Sequence, residues 1–245
     1  MLSGIFSAVT NQTIGETRAE RQARNYEELR DNFRNIFDNS LHLDSQSFDL
    51  EGLVDTVRTL EASEAERFDF NLHIPRINID HANIDALNEV IRNTYLGRAE
   101  QIYETSTSHT IFNVDYVAYV NGNVLSLIVR ASLRYGNNPQ RLLIQAVNVN
   151  LDTNTVMEID DVIALKELDR SEMQERINSE ITERIRQVEA LAEATEHNIF
   201  MRDLNDPMYL VENVNNFFLG EDGHLFIMFA YGNRNYTNEI DVVIF

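Results

Sequence analysis

The Asn121-Gly122 dipeptide narrows the possible folds of this chain most, because it stands between two long runs of alternating apolar and polar side chains. Both residues of an Asn-Gly turn tolerate a positive φ, so the dipeptide predicts a tight β-hairpin joining residues 110–120 to 124–135. On the return strand, Leu, Val and Ala side chains share one face with Tyr135, while Ser side chains share the other with Arg130 and Arg134. The pattern predicts an antiparallel meander with one packed face and one solvent-exposed face.

Further strands are predicted on both sides of this hairpin. Residues 68–74 alternate Phe, Leu and Ile with polar side chains, and Pro75 either ends their regular pairing or places the strand at an edge. Strands at 142–151 and 156–158 follow the hairpin, with an Asp-Thr-Asn turn between them. Near the end of the chain, short apolar strands are predicted at 217–219, 225–229 and 240–244, the first two folded about a Glu-Asp-Gly turn.

Apolar residues at three- and four-residue steps predict helices between these strands. The predicted helices lie within 16–37, around 87–95, at 161–168 and at 171–194, where Ser171 and Gln174 have the spacing of a capping box. The expected fold class is α+β: an antiparallel sheet packed on one face by the 87–95 and 171–194 helices, with an N-terminal amphipathic helix. We expect a helical extension at 1–50 and a single α+β domain at 51–245.

The charge balance excludes one class of partner and favours another. Forty acidic against 20 basic side chains give a formal net charge of −20, whereas nucleic-acid binding draws on clustered Lys and Arg. The acidity favours a basic protein as partner, and it serves solubility equally well. The chain has no cysteine, which excludes disulfides, thiolate catalysis and Cys-based zinc sites.

The apolar runs are too short to predict a membrane span, which needs about 18 residues. The first nine residues also lack the basic residue of a secretory signal. If the protein is exported, we expect its signal or anchor to lie outside these residues.

No catalytic or metal-binding motif stands out. The six histidines are dispersed, and His81 between Asp80 and Asp85 is more typical of turn chemistry than of metal ligation. The acidic stretch from Asp152 resembles a calcium loop but lacks the glycine and glutamate that the loop requires. We predict no metal, no cofactor and no enzymatic activity. The abundance of acidic side chains leaves a carboxylate pair for glycan hydrolysis as the open alternative.

Several segments, in order, carry a resemblance to a known family: FDFNLHIPRI at 68–77, LNEVI at 87–91, GNVLSL at 122–127, VNLDTN at 149–154, the Asp160-Asp161 pair, and FFL with DGHL at 217–225. Together they resemble the extracytoplasmic domain shared by RsiV-type anti-sigma factors and the non-catalytic region of PdaC-type peptidoglycan deacetylases. The resemblance covers roughly residues 55–245. No deacetylase metal motif is present, so deacetylase activity is not part of what it implies.

The resemblance implies an extracytoplasmic, non-catalytic binding or sensing domain. The implied partner is a cell-wall glycan or a basic protein such as lysozyme, with no nucleic acid and no membrane span in this chain. The candidate binding residues are Arg130 and Arg134 on the outer face of the hairpin strand, with Tyr135 and Asn137 at its end. The alternative, a carboxylate-dependent hydrolase of envelope glycans, would show itself by turnover of wall material.

Overall fold

Two β-sheets organise the residues that the computed structural model describes, 52–64, 66–194 and 199–245. The first sheet has six strands in chain order: β1 Val54–Glu64, β2 Phe68–Ile77, β3 Thr110–Asn121, β4 Val124–Tyr135, β5 Arg141–Asn150 and β6 Thr155–Met157. The second has three: β7 Phe217–Leu219, β8 Leu225–Ala230 and β9 Ile240–Ile244. The strand predictions match β2 to β9 to within one or two residues at most ends, as expected where alternation is regular. The sequence analysis did not predict β1, a mostly exposed strand at the edge of the first sheet.

Three helices accompany the sheets in the described part of the chain: α1 Ala82–Thr105, α2 Ile159–Lys166 and α3 Arg170–Ala194. The α+β fold class is confirmed. One pairing differs from the antiparallel expectation, because β2 and β3 run parallel. The reason is their connection: a helix joins the two strands and returns the chain to the same end of the sheet, as parallel pairing requires. The predicted N-terminal helix lies outside the described residues.

The predicted hairpin forms, but its two-residue turn is Gly122-Asn123 and not Asn121-Gly122. β3 and β4 pair antiparallel from Thr110 opposite Tyr135 to Asn121 opposite Val124. Gly122 has φ +58°, a left-handed conformation that a residue with a Cβ adopts only with strain. Asn121 pairs with Val124 and has no positive φ, so Gly122 alone supplies the positive φ of the turn. The register therefore differs by one residue from that of an Asn121-Gly122 turn.

The outer face of β4 is buried over its first half. This finding corrects the expectation of one packed and one solvent-exposed face. Val124 to Val129 are all buried, and Ser126 is fully so. Its hydroxyl donates to Asn148 Oδ1 at 2.7 Å and accepts from the Leu219 backbone N–H at 3.0 Å. Strand β7 therefore covers this half of the face, and Ser126 is tolerated inside because its polar atom is satisfied.

The two long helices serve two different hydrophobic cores. α1 packs against β2 in the first core through Ile84, Ile91 and Ile102. α3 instead packs in the second core with β8 and β9, through Met173, Ile177 and Ile181. The expectation that both helices cover one face of one sheet is thus corrected. Each helix has a single apolar stripe, and the second sheet offers α3 an apolar surface of its own.

The capping of α3 differs from the predicted capping box. The Asp169 carboxylate, not Ser171, accepts the first backbone N–H groups, from Ser171 at 2.8 Å and Glu172 at 3.0 Å. The Gln174 side chain turns away to the segment beyond the helix, accepting from Val211 N and donating to Tyr209 O. A sequence spacing alone does not decide which of two neighbouring acceptors caps a helix.

Across residues 52–64, 66–194 and 199–245, none of the helices has both the length and the apolar character that crossing a membrane demands.

Candidate functional site

A pocket of about 530 Å³ beside the second sheet resembles a binding site. We call it the asparagine pocket, because four of its lining residues are asparagines. It is lined by Pro207, Met208, Asn213, Val214, Asn215, Asn216, Met228, Phe229, Ala230, Asn233 and Arg234. Its volume falls in the range of small-molecule sites.

One wall is anchored by a side chain that substitutes for a β-strand. Asn216 Oδ1 accepts from the Ala146 backbone N–H at 2.9 Å, and Asn216 Nδ2 donates to the Ile144 carbonyl at 3.1 Å. Both backbone groups lie on β5 where β6 does not pair with it. The amide satisfies an otherwise open sheet edge, and it holds the 213–216 segment in place.

The same wall begins with two short 3₁₀ turns, Pro207–Tyr209 and Val211–Asn213. The Asp206 carboxylate caps the first turn by accepting from Met208 N at 2.9 Å. Asn213 Nδ2 donates to the Pro207 carbonyl at 2.8 Å, which joins the two turns. This wall is therefore braced by side chains at both of its turns.

The opposite wall depends on Gly232. A Cβ at this position would lie 1.9 Å from the Leu142 carbonyl oxygen and 2.7 Å from that of Thr237. The close approach lets Asn233 Nδ2 donate to the Ile144 carbonyl at 3.0 Å, the same oxygen that Asn216 contacts. Glycine is required here for backbone proximity.

A salt bridge links the two walls and leaves the pocket nearly neutral. Arg234 Nη1 lies 2.5 Å from Asp206 Oδ2. The Met208 backbone N–H and then Arg234 hold the pKa of the Asp206 carboxyl below its usual value. No Asp or Glu is among the described lining residues. The pocket therefore suits an uncharged ligand better than an ion.

Several amide atoms of the pocket have no protein partner within the described residues. The Asn215 side chain makes no hydrogen bond there, and neither do Asn213 Oδ1 and Asn233 Oδ1. Pro207 is exposed and Met208 half-buried beside them. The lining thus combines amide donors and acceptors with a small apolar surface.

A buried polar network lies in the core behind this region. Tyr231 donates to Asp241 Oδ2 at 2.6 Å, and the Tyr209 hydroxyl lies 2.8 Å from that of Tyr231. Arg202 makes two hydrogen bonds to Asp241 and one to Glu239.

Burial affects the pKa values of this network in different ways. It raises the pKa of Tyr209 to about 12 and raises that of Tyr231 further. Burial also works to lower the pKa of Arg202, but its bonds to Asp241 and Glu239 outweigh that effect and raise it. Tyr209 and Tyr231 therefore stay neutral and Arg202 stays charged at neutral pH, which fits a structural role for the network.

A second pocket, of about 400 Å³, lies beside residues 236–239. Its described lining contains a single carboxylate, Glu239. That carboxylate already accepts hydrogen bonds from Phe200 N, Arg202 and Thr237. A carboxylate with three donors is poorly placed to act as a base or nucleophile.

The residues named from sequence lie elsewhere. Arg130 is half-buried on the outer face of β4 opposite Asp115, and Arg134 is exposed opposite Ile111. Tyr135 packs against the first core, and Asn137 is exposed in the turn after β4. None of the four lines either pocket, so their role in binding stays a prediction.

The signal that could have indicated the asparagine pocket is compositional. Asparagines cluster at Asn213, Asn215 and Asn216 and again at Asn233 and Asn235, close to short apolar strands. Such clusters are typical of turns, so the sequence alone does not mark them as a site.

The two acidic regions considered for metals have structural roles. His81 caps α1, its Nδ1 accepting from Asn83 N at 3.3 Å. Asp161 and Glu158 form the capping box of α2. In the described ranges, no group of three or more His, Asp or Glu side chains could hold a metal ion.

Solved structures with a similar fold come from the DUF3298 family, while no protein-family model and no curated protein matches the chain. A DUF3298 family protein from Pseudomonas aeruginosa is 9% identical, with a TM-score of 0.46, over 78% of this chain and 88% of that one. A DUF3298 member from Bacteroides fragilis is 11% identical, with a TM-score of 0.37, over 72% and 82% of the two chains.

Proposed function

We propose that this chain is a non-catalytic binding domain that holds a cell-envelope glycan in the asparagine pocket. The observation that carries the proposal is the lining of that pocket: amide groups without protein partners, next to Pro207 and Met208, with no carboxylate among the described residues. Neutral amides pair well with hydroxyl and amide groups, which glycans present in quantity. The envelope assignment rests on the resemblance of the sequence to RsiV-type and PdaC-type extracytoplasmic domains.

Hydrolysis of such a glycan needs two carboxylates about 5–10 Å apart across the scissile bond. The asparagine pocket has none among its described lining residues, and the single carboxylate of the second pocket is fully engaged. These observations favour binding over hydrolysis for a ligand in either pocket.

A basic protein, such as lysozyme, is the second candidate partner. The formal net charge of −20 favours it, because opposite charges speed association at long range. α3 contributes exposed acidic side chains at Glu172, Glu175 and Glu189. A surface of this kind acts independently of the asparagine pocket.

The glycan proposal is tested by calorimetric titration of the chain with soluble disaccharide-peptide fragments of peptidoglycan. We expect saturable 1:1 binding, and an affinity about three- to tenfold lower in Asn215→Ala, because a single neutral hydrogen bond is lost. Asn93→Ala is the matched control, since Asn93 is an exposed asparagine on α1, away from the pocket lining.

Three results would contradict the proposal. Absence of heat with the wild-type chain would remove the glycan as ligand. Equal affinities of the wild-type and Asn215→Ala chains would remove the pocket as its site. Release of reducing ends from the fragments would replace binding by hydrolysis.

A further inference from the structure

We infer that the asparagine pocket recognises the acetamido group of an N-acetylated sugar. The inference rests on the proposed function, since it names the chemical class of ligand for the same pocket. An acetamido group presents one carbonyl acceptor, one N–H donor and one methyl group within a few ångströms. The described lining of the pocket offers a counterpart for each of the three.

The donor for the acetamido carbonyl is the Asn215 amide. Its Nδ2 makes no hydrogen bond to the described protein, although the residue lines the pocket and is exposed. A donor with no protein partner can bind a ligand without losing a protein bond. The wall that carries Asn215 is braced by the next residue, Asn216, whose side chain is bonded twice to β5.

The acceptors for the acetamido N–H are Asn213 Oδ1 and Asn233 Oδ1. In both residues the Nδ2 group is committed to a backbone carbonyl, that of Pro207 or that of Ile144. This commitment fixes which end of each amide stays available, because the oxygen cannot exchange places with a bonded nitrogen. One asparagine on each wall therefore presents an acceptor.

The contact for the methyl group is the apolar surface of Pro207 and Met208. Pro207 is exposed, Met208 is half-buried, and Asn213 is bonded directly to the Pro207 carbonyl. Apolar and amide groups therefore lie side by side on one wall. A sugar that carries hydroxyl groups alone has no methyl group for this surface and offers only its ring C–H groups.

The electrostatics of the pocket disfavour the charged alternatives. Arg234 is paired with Asp206, and no carboxylate lines the pocket among the described residues. A free amino sugar would bring a cation without a counter-charge, and a phosphate would find its one candidate arginine already paired. An N-acetylated sugar is neutral, so it needs neither a counter-charge nor an unpaired arginine.

The test compares two neutral tetrasaccharides with the same β-1,4 backbone. Chitotetraose carries an acetamido group on each ring, and cellotetraose carries a hydroxyl group in its place. We expect chitotetraose to bind at least about tenfold more tightly, because only its acetamido groups supply both a carbonyl acceptor for Asn215 and a methyl group for the apolar surface.

Two variants locate the discrimination in the pocket. Asn215→Asp removes the donor but keeps the shape, so we expect it to weaken chitotetraose binding and leave cellotetraose binding unchanged. Met208→Ala removes apolar surface that would contact the methyl group. We therefore expect it also to lower the ratio of the affinity for chitotetraose to that for cellotetraose. Thermal unfolding verifies that both variants fold. If Met208→Ala does not fold, Asn215→Asp alone is sufficient for the test, because Asn215 is exposed.

The outcomes separate this inference from the proposed function. Equal affinity for the two tetrasaccharides, or a ratio that Asn215→Asp leaves unchanged, would overturn the acetamido assignment. Peptidoglycan fragments that still bind in an Asn215-dependent manner would then leave the proposed function standing. Competition by the free stem peptide, without competition by chitotetraose, would assign the pocket to peptide instead.

Discussion

Gly232 is the residue at which the asparagine pocket is most sensitive to a single methyl group. The position holds a 3₁₀ turn against β5, with two backbone carbonyls where a Cβ would be. Backbone atoms cannot rotate out of the way as the end of a flexible side chain can. The whole turn would have to move, and Asn233 and Arg234 would move with it.

We expect Gly232→Ala to lower the free energy of unfolding by about 1–3 kcal/mol, the range for overpacking a well-packed site. We also expect it to abolish ligand binding in the asparagine pocket. Urea denaturation measures the first effect and calorimetric titration the second.

Gly97→Ala is the matched control, because no heavy atom lies within 4 Å of a Cβ at Gly97 in α1. That change should raise stability by about 0.5–1 kcal/mol through helix propensity. If Gly232→Ala left the free energy of unfolding unchanged, the turn would not pack against β5 as closely as described.

At the scale of elements, α3 shows how two acceptors compete for one helix end. Asp169 accepts from both Ser171 N and Glu172 N, and the charge of its carboxylate also favours the helix N-terminus. Ser171 is exposed, and its hydroxyl makes no hydrogen bond within the described residues. The predicted capping box and the observed cap therefore make different predictions for mutation.

Asp169→Ala should lower the free energy of unfolding by about 1 kcal/mol, the usual effect of losing a cap. Ser171→Ala should change it by less than about 0.5 kcal/mol, as for an exposed surface position. Urea denaturation of the two variants under identical conditions measures both. A larger effect of Ser171→Ala than of Asp169→Ala would instead support the capping box that the sequence spacing predicts.

At the scale of the whole molecule, the net charge of −20 is the property that would attract a basic partner at the longest distance. Long-range attraction is screened by salt, with a Debye length of about 10 Å at 0.1 M. A true electrostatic partner is therefore recognisable from how its affinity changes with ionic strength.

Titration with a c-type lysozyme tests this second candidate. We expect 1:1 binding whose affinity falls at least about tenfold between roughly 50 mM and 300 mM salt. Replacing Glu172, Glu175 and Glu189 by Gln should weaken binding at low salt more than at high salt, if α3 forms part of the surface. Absence of heat at both salt concentrations would remove lysozyme as a partner and assign the acidity to solubility.

The amino-acid sequence by itself determined the local elements of this protein. Alternation predicted β3 and β4, the Asn-Gly dipeptide predicted that a hairpin joins them, and the apolar stripe from Met173 predicted α3. These signals depend on residues close together in the chain. The α+β class followed from the mixture of these elements.

Only the tertiary structure decided which faces are buried and where a pocket forms. The dry outer face of β4 depends on Ser126 and Leu219, which are 93 positions apart, and the pocket wall depends on Asn216 and Ala146, which are 70 apart. No local periodicity encodes such contacts, because each side chain involved also suits an exposed strand or turn. Asparagine at 216 substitutes for a strand only because the fold brings an unpaired edge of β5 to it.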